Sequence, residues 1–376
     1  MNIISTVPFN SYISNNFFKN YKMPKRIRKC LFFLSIPCLL ILVNSCARVD
    51  RKHFLFESAL TVDHRFPMEV FNPMGMYIHN DYLILHQVNN AQSSEGYFFQ
   101  VYNLSDGAFK GSFGRRGRGP GEWLSLFPVS SPCDVPYFYF YDMSVRESSV
   151  VIYKTMLDSI AQPVEVDSFS IEKGFSSMSR AVIKDDSLFL YNEFLPERAV
   201  RLYHLRGEFP LQTWTYGPSF DNQRFEDENM GTLHANDSCI VFLYNLKDRI
   251  DILDWNLQLK KCLNYQKGQV VMHQNPMENV WYYSASSCLG KHFLYVLYLG
   301  VPYIEFWQNN VLQYALEVFD LNGRPICRYT FPEPSPRLFV VDERTFNLYG
   351  YRGENDLEDF ISVYHLPGLK EYLETK

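Results

Sequence analysis

A short pattern, an aliphatic residue with an aromatic one, then a polar residue and usually an apolar one, recurs six times along the chain. The copies are Val101-Tyr102-Asn103-Leu104, Ile152-Tyr153-Lys154-Thr155, Leu202-Tyr203-His204-Leu205, Leu253-Asp254-Trp255 preceded by Ile252, Val318-Phe319-Asp320-Leu321 and Val363-Tyr364-His365-Leu366. Measured on the polar residue, the intervals are 51, 50, 50, 66 and 45. A fixed period in this range marks a repeat architecture, and that constrains the fold before any motif is considered.

A second, independent series keeps the same beat. Apolar runs begin at Tyr82, Tyr137, Ser187, Ser238, His292 and Thr345, at intervals of 55, 50, 51, 54 and 53. Each run is short and rich in Tyr, Phe, Val, Ile and Leu, which suits a β-strand with at least one face in a core. Asx-rich pairs precede three of them (Asn80-Asp81, Asp185-Asp186, Asn236-Asp237), and Asp106-Gly107 and Asn322-Gly323 follow two copies of the first pattern. Such pairs supply the positive φ angles of tight hairpins. Weaker apolar segments lie upstream (Met74 to Ile78, Phe127 to Val129, Arg180 to Ile183, Met230 to His234, Trp281 to Ser284, Leu338 to Val341) and downstream (Ala108 to Phe113, Gln212 to Tyr216, Pro325 to Phe331). Four strands per unit is the blade of a β-propeller.

The expected fold class is therefore all-β, a six-bladed β-propeller of four-stranded antiparallel blades spanning residues 47–376. Six blades at this period need about 315 residues, which leaves no room for a second domain. A seventh blade would require another copy of both series. Two terminal segments, Phe54 to Val62 and Leu369 to Leu373, are read as strands available to close the ring, because an open sheet edge invites aggregation.

Residues 1–46 do not belong to this pattern. They hold no acidic residue, and Lys25-Arg26-Ile27-Arg28-Lys29 leads into an apolar run, Leu31 to Val43, that ends at Asn44-Ser45-Cys46. Charged, then apolar, then small is the layout of a secretory signal peptide, and the run is short for a membrane span. Its end resembles a bacterial lipobox, with Val43 and Ser45 before Cys46, the residue that would carry diacylglycerol. Met23 directly precedes Pro24 and the basic stretch and offers a second candidate start. The rival reading is an ordinary membrane anchor or an unlipidated signal. Acyl chains contribute about 0.8 kcal/mol per buried methylene, so several chains on Cys46 would hold the protein on a bilayer.

Charge narrows the partners. The leader carries six of the 36 basic residues, which leaves 30 Lys and Arg against 41 Asp and Glu, a net charge near −11. With no basic patch interleaved with aromatics, nucleic acid is excluded as a partner. Five cysteines remain beyond Cys46 (Cys133, Cys239, Cys262, Cys288, Cys327), with no CxxC spacing. Buried free thiols are expected, and a Cys239–Cys288 bridge between neighbouring repeats is the alternative.

The most unusual local stretch is Phe113-Gly114-Arg115-Arg116-Gly117-Arg118-Gly119-Pro120-Gly121-Glu122-Trp123. Its glycines permit positive φ and close backbone approach, and its arginines could meet an anion. It is not a P-loop, since no Gly-Lys-Ser/Thr closes it. It resembles the Phe-Gly-x-x-Gly-x-Gly-Pro-Gly-Glu signature of the TolB-like six-bladed propeller lipoproteins of Bacteroidetes and, more distantly, an NHL repeat. With the lipobox and the six-fold period, that resemblance covers the whole mature chain. It implies an envelope lipoprotein at the outer membrane, facing the periplasm because the acidic run of surface-exported lipoproteins is missing after Cys46. It carries over no catalytic residues and no cofactor.

Other chemistry is thin. The histidines form no His-Glu-x-x-His, so no metal site is expected. His204, Asp254, Asp320 and His365 fall on the beat itself and are read as blade construction, and a carboxylate pair among Asp251, Asp254 and Asp320 is the rival reading. No serine sits in a Gly-x-Ser-x-Gly elbow. Trp281, Tyr303 and Trp307, in or near the long interval, could stack on a sugar. Asp158-Ser159-Ile160 and Asp186-Ser187-Leu188 resemble the O-glycosylation sequon of Bacteroides-type periplasmic proteins.

The favoured role is a non-catalytic cell-envelope lipoprotein, membrane-bound through Cys46, whose propeller binds a protein or glycan. Candidate ligand-binding residues are Arg115, Arg116, Arg118, Glu122, Tyr303 and Trp307. The alternative is a carbohydrate- or peptide-acting enzyme with its site at the channel mouth, and a sensor or accessory of an uptake system is the third class.

Overall fold

The computed structural model describes residues 52–68, 73–87, 96–132, 135–146, 149–160, 164–170, 180–193, 198–205, 207, 209–216, 230–265, 281–302, 313–352 and 360–376. Cys46, Cys133, Tyr303 and Trp307 lie outside them. Two strands come first, β1 (Phe56–Ala59) and β2 (Val62–Pro67). The first blade follows as β3 (Pro73–His79), β4 (Tyr82–Gln87), β5 (Tyr97–Asn103) and β6 (Phe109–Arg115). The second is β7 (Leu126–Val129), β8 (Tyr137–Arg146), β9 (Ser149–Met156) and β10 (Val164–Ser170). The third is β11 (Ala181–Lys184), β12 (Leu188–Glu193), β13 (Ala199–His204) and β14 (Gln212–Thr215), and the fourth is β15 (Gly231–Ala235), β16 (Ile240–Tyr244), β17 (Arg249–Leu253) and β18 (Leu259–Asn264). The fifth holds β19 (Trp281–Leu289), β20 (Phe293–Pro302), β21 (Ala315–Asp320) and β22 (Pro325–Thr330); the sixth holds β23 (Leu338–Asp342), β24 (Asn347–Tyr351) and β25 (Phe360–His365).

These sheets form a six-bladed propeller. First strands stand side by side round the axis, β7 against β11, β11 against β15, β15 against β19, β19 against β23 and β23 against β3. Both series in the sequence map onto strands. The apolar runs open the second strand of each blade, and Asn103, His204, Asp320 and His365 end third strands, with Lys154 inside one and Asp254 just past another.

Period-two alternation explains why second strands read as unbroken apolar runs. Successive side chains point to opposite faces of a strand, and here both faces are buried against neighbouring blades. In β12, Leu190 joins the core shared with the fourth blade, while Phe189 and Tyr191 join the core shared with the second. In β16, Ile240, Phe242 and Tyr244 face the third blade, while Val241 and Leu243 face the fifth. Each of the six seams has such a core, and the seam of Leu83, Leu85, Val340 and Ile361 closes the sixth blade on the first.

Polar contacts stitch the same seams at the tight-turn end. Tyr82 Oη donates to Asp158 (2.8 Å), Tyr139 Oη to Asp186, Lys184 Nζ to the Asp237 carbonyl (3.3 Å) and Asn236 Nδ2 to the Gly290 carbonyl (2.8 Å). Glu343 accepts from the backbone of His292 (2.9 Å) and Phe293 (3.0 Å), and Arg344 Nη1 donates to Asp81 (2.7 Å). The turns themselves follow the expected chemistry, with Asn80, Asp185, Asp186, Gly107 and Gly323 all at φ between 49° and 72°. The serines of both sequon-like triplets, Ser159 and Ser187, are exposed at this end.

Ring closure departs from the sequence reading in two ways. The N-terminal segment supplies two strands to two blades: β2 pairs antiparallel with β25 as the outer strand of the sixth, and β1 pairs parallel with β22 as a fifth strand of the fifth. Leu369 to Leu373 is no strand but part of a helix, α1 (Leu369–Glu374). The edge of β25 that a terminal strand would need is already taken by β2. Instead Gly368, at φ 85°, turns the chain, and Leu369, Tyr372 and Leu373 share a helix face against the core between the fifth and sixth blades. Cys239, Cys288 and Cys327 are free thiols, so Cys239 and Cys288 form no bridge, whereas Cys262, expected as a free thiol, is disulfide-bonded.

Candidate functional site

The glycine-arginine stretch leaves β6 and folds back on itself before β7. Gly114 takes φ 71° and Gly121 φ 73°, both left-handed values that suit glycine. Trp123 N donates to the Arg115 carbonyl (2.9 Å) and Gly117 N to the Trp123 carbonyl (3.0 Å), closing the loop at its neck. Glu122 fills the middle: its Oε2 accepts from Gly119 N (2.8 Å), its Oε1 stands 3.5 Å from Arg115 Nε, and a Cβ on Gly117 would collide with its carboxylate. Trp123 anchors the base edge-on against Phe140 and Tyr153 at 6.3 and 5.9 Å. The three arginines have different surroundings. Arg116 lies over the Phe98 ring at 4.3 Å, and partial burial lowers its pKa; Arg115 and Arg118 are exposed. The structure thus brings Arg115 and Glu122 together and holds Arg118 at the loop tip. β20 ends on the same end of the ring as β6, since both strands run away from the tight turns; Tyr303 and Trp307, later in the sequence, lie outside the described residues.

The channel carries a second polar set that the sequence reading missed. Arg180, at the start of β11, places Nη1 3.0 Å from His234 Nδ1 on β15, and His234 Nε2 lies 2.7 Å from Ser287 Oγ on β19. A guanidinium can only donate, so Nδ1 accepts and the proton of the neutral ring sits on Nε2. His234 therefore donates to Ser287. Burial holds its pKa well below the usual histidine value, and the Arg180 charge pushes the same way. A hydrolytic triad needs the opposite polarity, with a carboxylate behind the histidine and a free Nε2 lone pair toward the serine. Here a cation stands where the carboxylate would be.

Acids on the beat cap turns. Asp254 Oδ1 accepts from Asn256 N and Gln258 N, and Asp320 Oδ1 accepts from Asn322 N and Arg324 N, each within 2.9–3.0 Å. Asp251 is fully buried between Tyr244 Oη and the Arg249 guanidinium. His365 Nδ1 lies 3.3 Å from Asn347 Oδ1. No group of three His, Cys, Asp or Glu able to hold a metal occurs among the described residues. A groove of about 790 Å³ runs along Lys261, Arg324, Tyr372 and Lys376 on the outer side, where Lys376 is paired with Asp320 and Lys261 with the Asn322 carbonyl.

His86 gives a pH test of the seam beneath the loop. Its Nε2 donates to the Leu126 carbonyl (2.8 Å) and its ring stacks on Phe99 at 5.1 Å. Burial lowers its pKa to about 4, with Arg116 adding to the shift. The unfolded state takes up a proton near pH 6.5 and the folded state only near pH 4, so stability falls as pH drops through that window, by roughly 3 kcal/mol from this group. Glu317 and Glu343, raised by burial, act in the opposite sense in every variant. His86→Gln is expected to narrow its stability deficit against wild type by that amount between pH 7 and pH 4 in urea unfolding. Parallel pH profiles would contradict it.

Fold and channel define the class as a six-bladed β-propeller closed by its N-terminal strand, with a donor network on its axis. Among solved structures, a DUF4221 family member from Bacteroides vulgatus ATCC 8482 is similar at 11% identity and a TM-score of 0.54, covering 81% of this chain and 97% of that one. A protein described as exported from Bacteroides fragilis NCTC 9343 is similar at 12% identity and a TM-score of 0.47, with 85% and 98% covered. Raptor of Chaetomium thermophilum is similar at 12% identity and a TM-score of 0.46, covering 82% of this chain and 29% of that one. At these identities the likeness is one of fold. No family model matches the chain, and no curated protein does. Among the described residues no helix is long and apolar enough to cross a membrane.

Proposed function

We propose that the protein is a non-catalytic binding propeller of the cell envelope, related to the TolB-like lipoproteins of Bacteroidetes, anchored through Cys46 to the outer membrane on its periplasmic side and engaging a protein or glycan. The observation that carries a binding role is the polarity of the channel network: Arg180 donates to His234 and His234 to Ser287, which presents donors and leaves no histidine base toward the hydroxyl. Arg115, Arg116, Arg118 and Glu122, on the end of the ring away from the tight turns, are candidate contacts, as are Tyr303 and Trp307, which lie outside the described residues. The tight-turn end, by contrast, is pinned at all six seams.

Two measurements test this. Cys46→Ala should abolish palmitate labelling and release the chain from membranes; persistent labelling removes the anchor. The released Cys46→Ala chain should co-sediment with delipidated envelope material. Adding Arg115→Ala, Arg116→Ala and Arg118→Ala should weaken that at least tenfold with an unchanged melting temperature. A lowered melting temperature with retained binding would make the loop a structural joint instead, and no co-sedimentation by Cys46→Ala itself would remove the binding role.

A further inference from the structure

We infer that the propeller channel holds a site for one oxyanion group, a carboxylate or a phosphate, centred on Arg180 with Tyr77 and Ser287 as neutral donors. It rests on the binding role proposed above and names the chemistry of what enters the channel. Arg180 Nη1 lies 3.0 Å from His234 Nδ1 of the fourth blade, and its charge also acts on Tyr77 of the first blade and Cys288 of the fifth. It makes no ion pair with a carboxylate among the described residues. Glu343 is the one described carboxylate acting on Cys288, and its oxygens are already taken by the backbone of His292 and Phe293 and by Tyr295 Oη. A half-buried guanidinium with no carboxylate partner among the described residues is a group that an anionic ligand can pair with.

Geometry leaves the right groups free. Arg180 spends Nη1 on His234, which leaves its other N–H groups, and a planar guanidinium can meet a carboxylate or phosphate with two parallel hydrogen bonds. Because Ser287 Oγ accepts from His234, its own proton is available to donate to a ligand. Tyr77, whose ring folds over Gly75 where a Cβ would strike the hydroxyl, donates to no described residue. His234 works as a positioning residue, holding both Arg180 and Ser287. A guanidinium that can only donate, with two hydroxyls able to donate beside it, is the complement of an oxyanion and disfavours a cation.

The test is calorimetric titration of the full chain in detergent with inorganic phosphate, succinate and galacturonate at matched ionic strength, chloride serving as control. Saturable binding of at least one probe is expected, with the preferred probe separating phosphate from carboxylate sources. Arg180→Gln should weaken it at least tenfold, Arg180→Lys less, and Tyr77→Phe and Ser287→Ala severalfold each, while Lys110→Gln on exposed β6 changes nothing. If Arg180→Gln does not fold, the Tyr77 and Ser287 variants decide. No saturable binding of any probe, or binding that these variants leave intact, overturns the site. Retained envelope co-sedimentation by the Cys46→Ala chain together with no saturable anion binding by the wild-type channel would leave the binding role standing and remove only the oxyanion.

Discussion

A chain lacking residues 47–67 is expected to lose cooperative folding and to form multimers. That segment holds β1 and β2, which pair with the outer strand of the fifth blade and the last strand of the sixth. Phe66, 5% exposed, stacks on Tyr349 at 6.0 Å and fills the core that joins the sixth blade to the first, against Tyr102 and Leu104. Gly107 touches the same ring closely enough that a Cβ would collide with it. Leu60, 2% exposed, belongs to the core between the fifth and sixth blades. Burying such side chains contributes about 1.5–3 kcal/mol each, against a total stability of roughly 5–15 kcal/mol. Removing both strands also bares the edges of β25 and β22, templates for pairing with other chains. Phe66→Ala alone should cost about 3–5 kcal/mol. Gel filtration and urea unfolding report the result, and a monomeric truncated chain with an unchanged urea midpoint would show that the seam holds without its latch.

Lys52→Met is expected to be strongly destabilising. Lys52 Nζ lies 2.6 Å from Asp248 Oδ1 and 2.9 Å from Glu317 Oε2, over the Tyr298 ring at 3.8 Å and the Tyr265 ring at 5.0 Å. Glu317 is 2% exposed, and burial raises its pKa although Lys52 opposes the shift. Without the cation, two carboxylates face each other across the seam of the fourth and fifth blades, at a cost of about 3–5 kcal/mol. A raised carboxyl pKa destabilises most at high pH and is relieved as pH falls toward the unfolded value, so the defect should shrink between pH 8 and pH 5. Lys52→Met with Glu317→Gln should recover part of the loss. Urea unfolding of the three proteins at both pH values checks this; equal defects at the two pH values would mean that lost packing, not charge, is responsible.

Sequence alone determined the blade count, the second and third strands and most turns. Those strands are buried on both faces, so their apolar runs are continuous and recur with each blade, and Asx and Gly mark the hairpins because the chain there needs positive φ. First strands were legible as weaker apolar segments: polar residues interrupt β15 and β19, and β7 and β11 are only four residues long. The glycine-arginine loop was legible as a special segment, yet its Glu122 filling and the separate surroundings of Arg115, Arg116 and Arg118 depend on contacts within the folded loop.

Tertiary structure alone decided the closure and the channel. Leu369 to Leu373 has the composition of a strand or a helix, and occupation of the β25 edge by β2 decides between them. Arg180, His234 and Ser287 stand 54 and 53 positions apart, the blade period, so their spacing is written in the chain. Residues one period apart become neighbours only when successive blades are packed round one axis, and the sign of the network, a cation behind the histidine, emerges from the atoms that then touch.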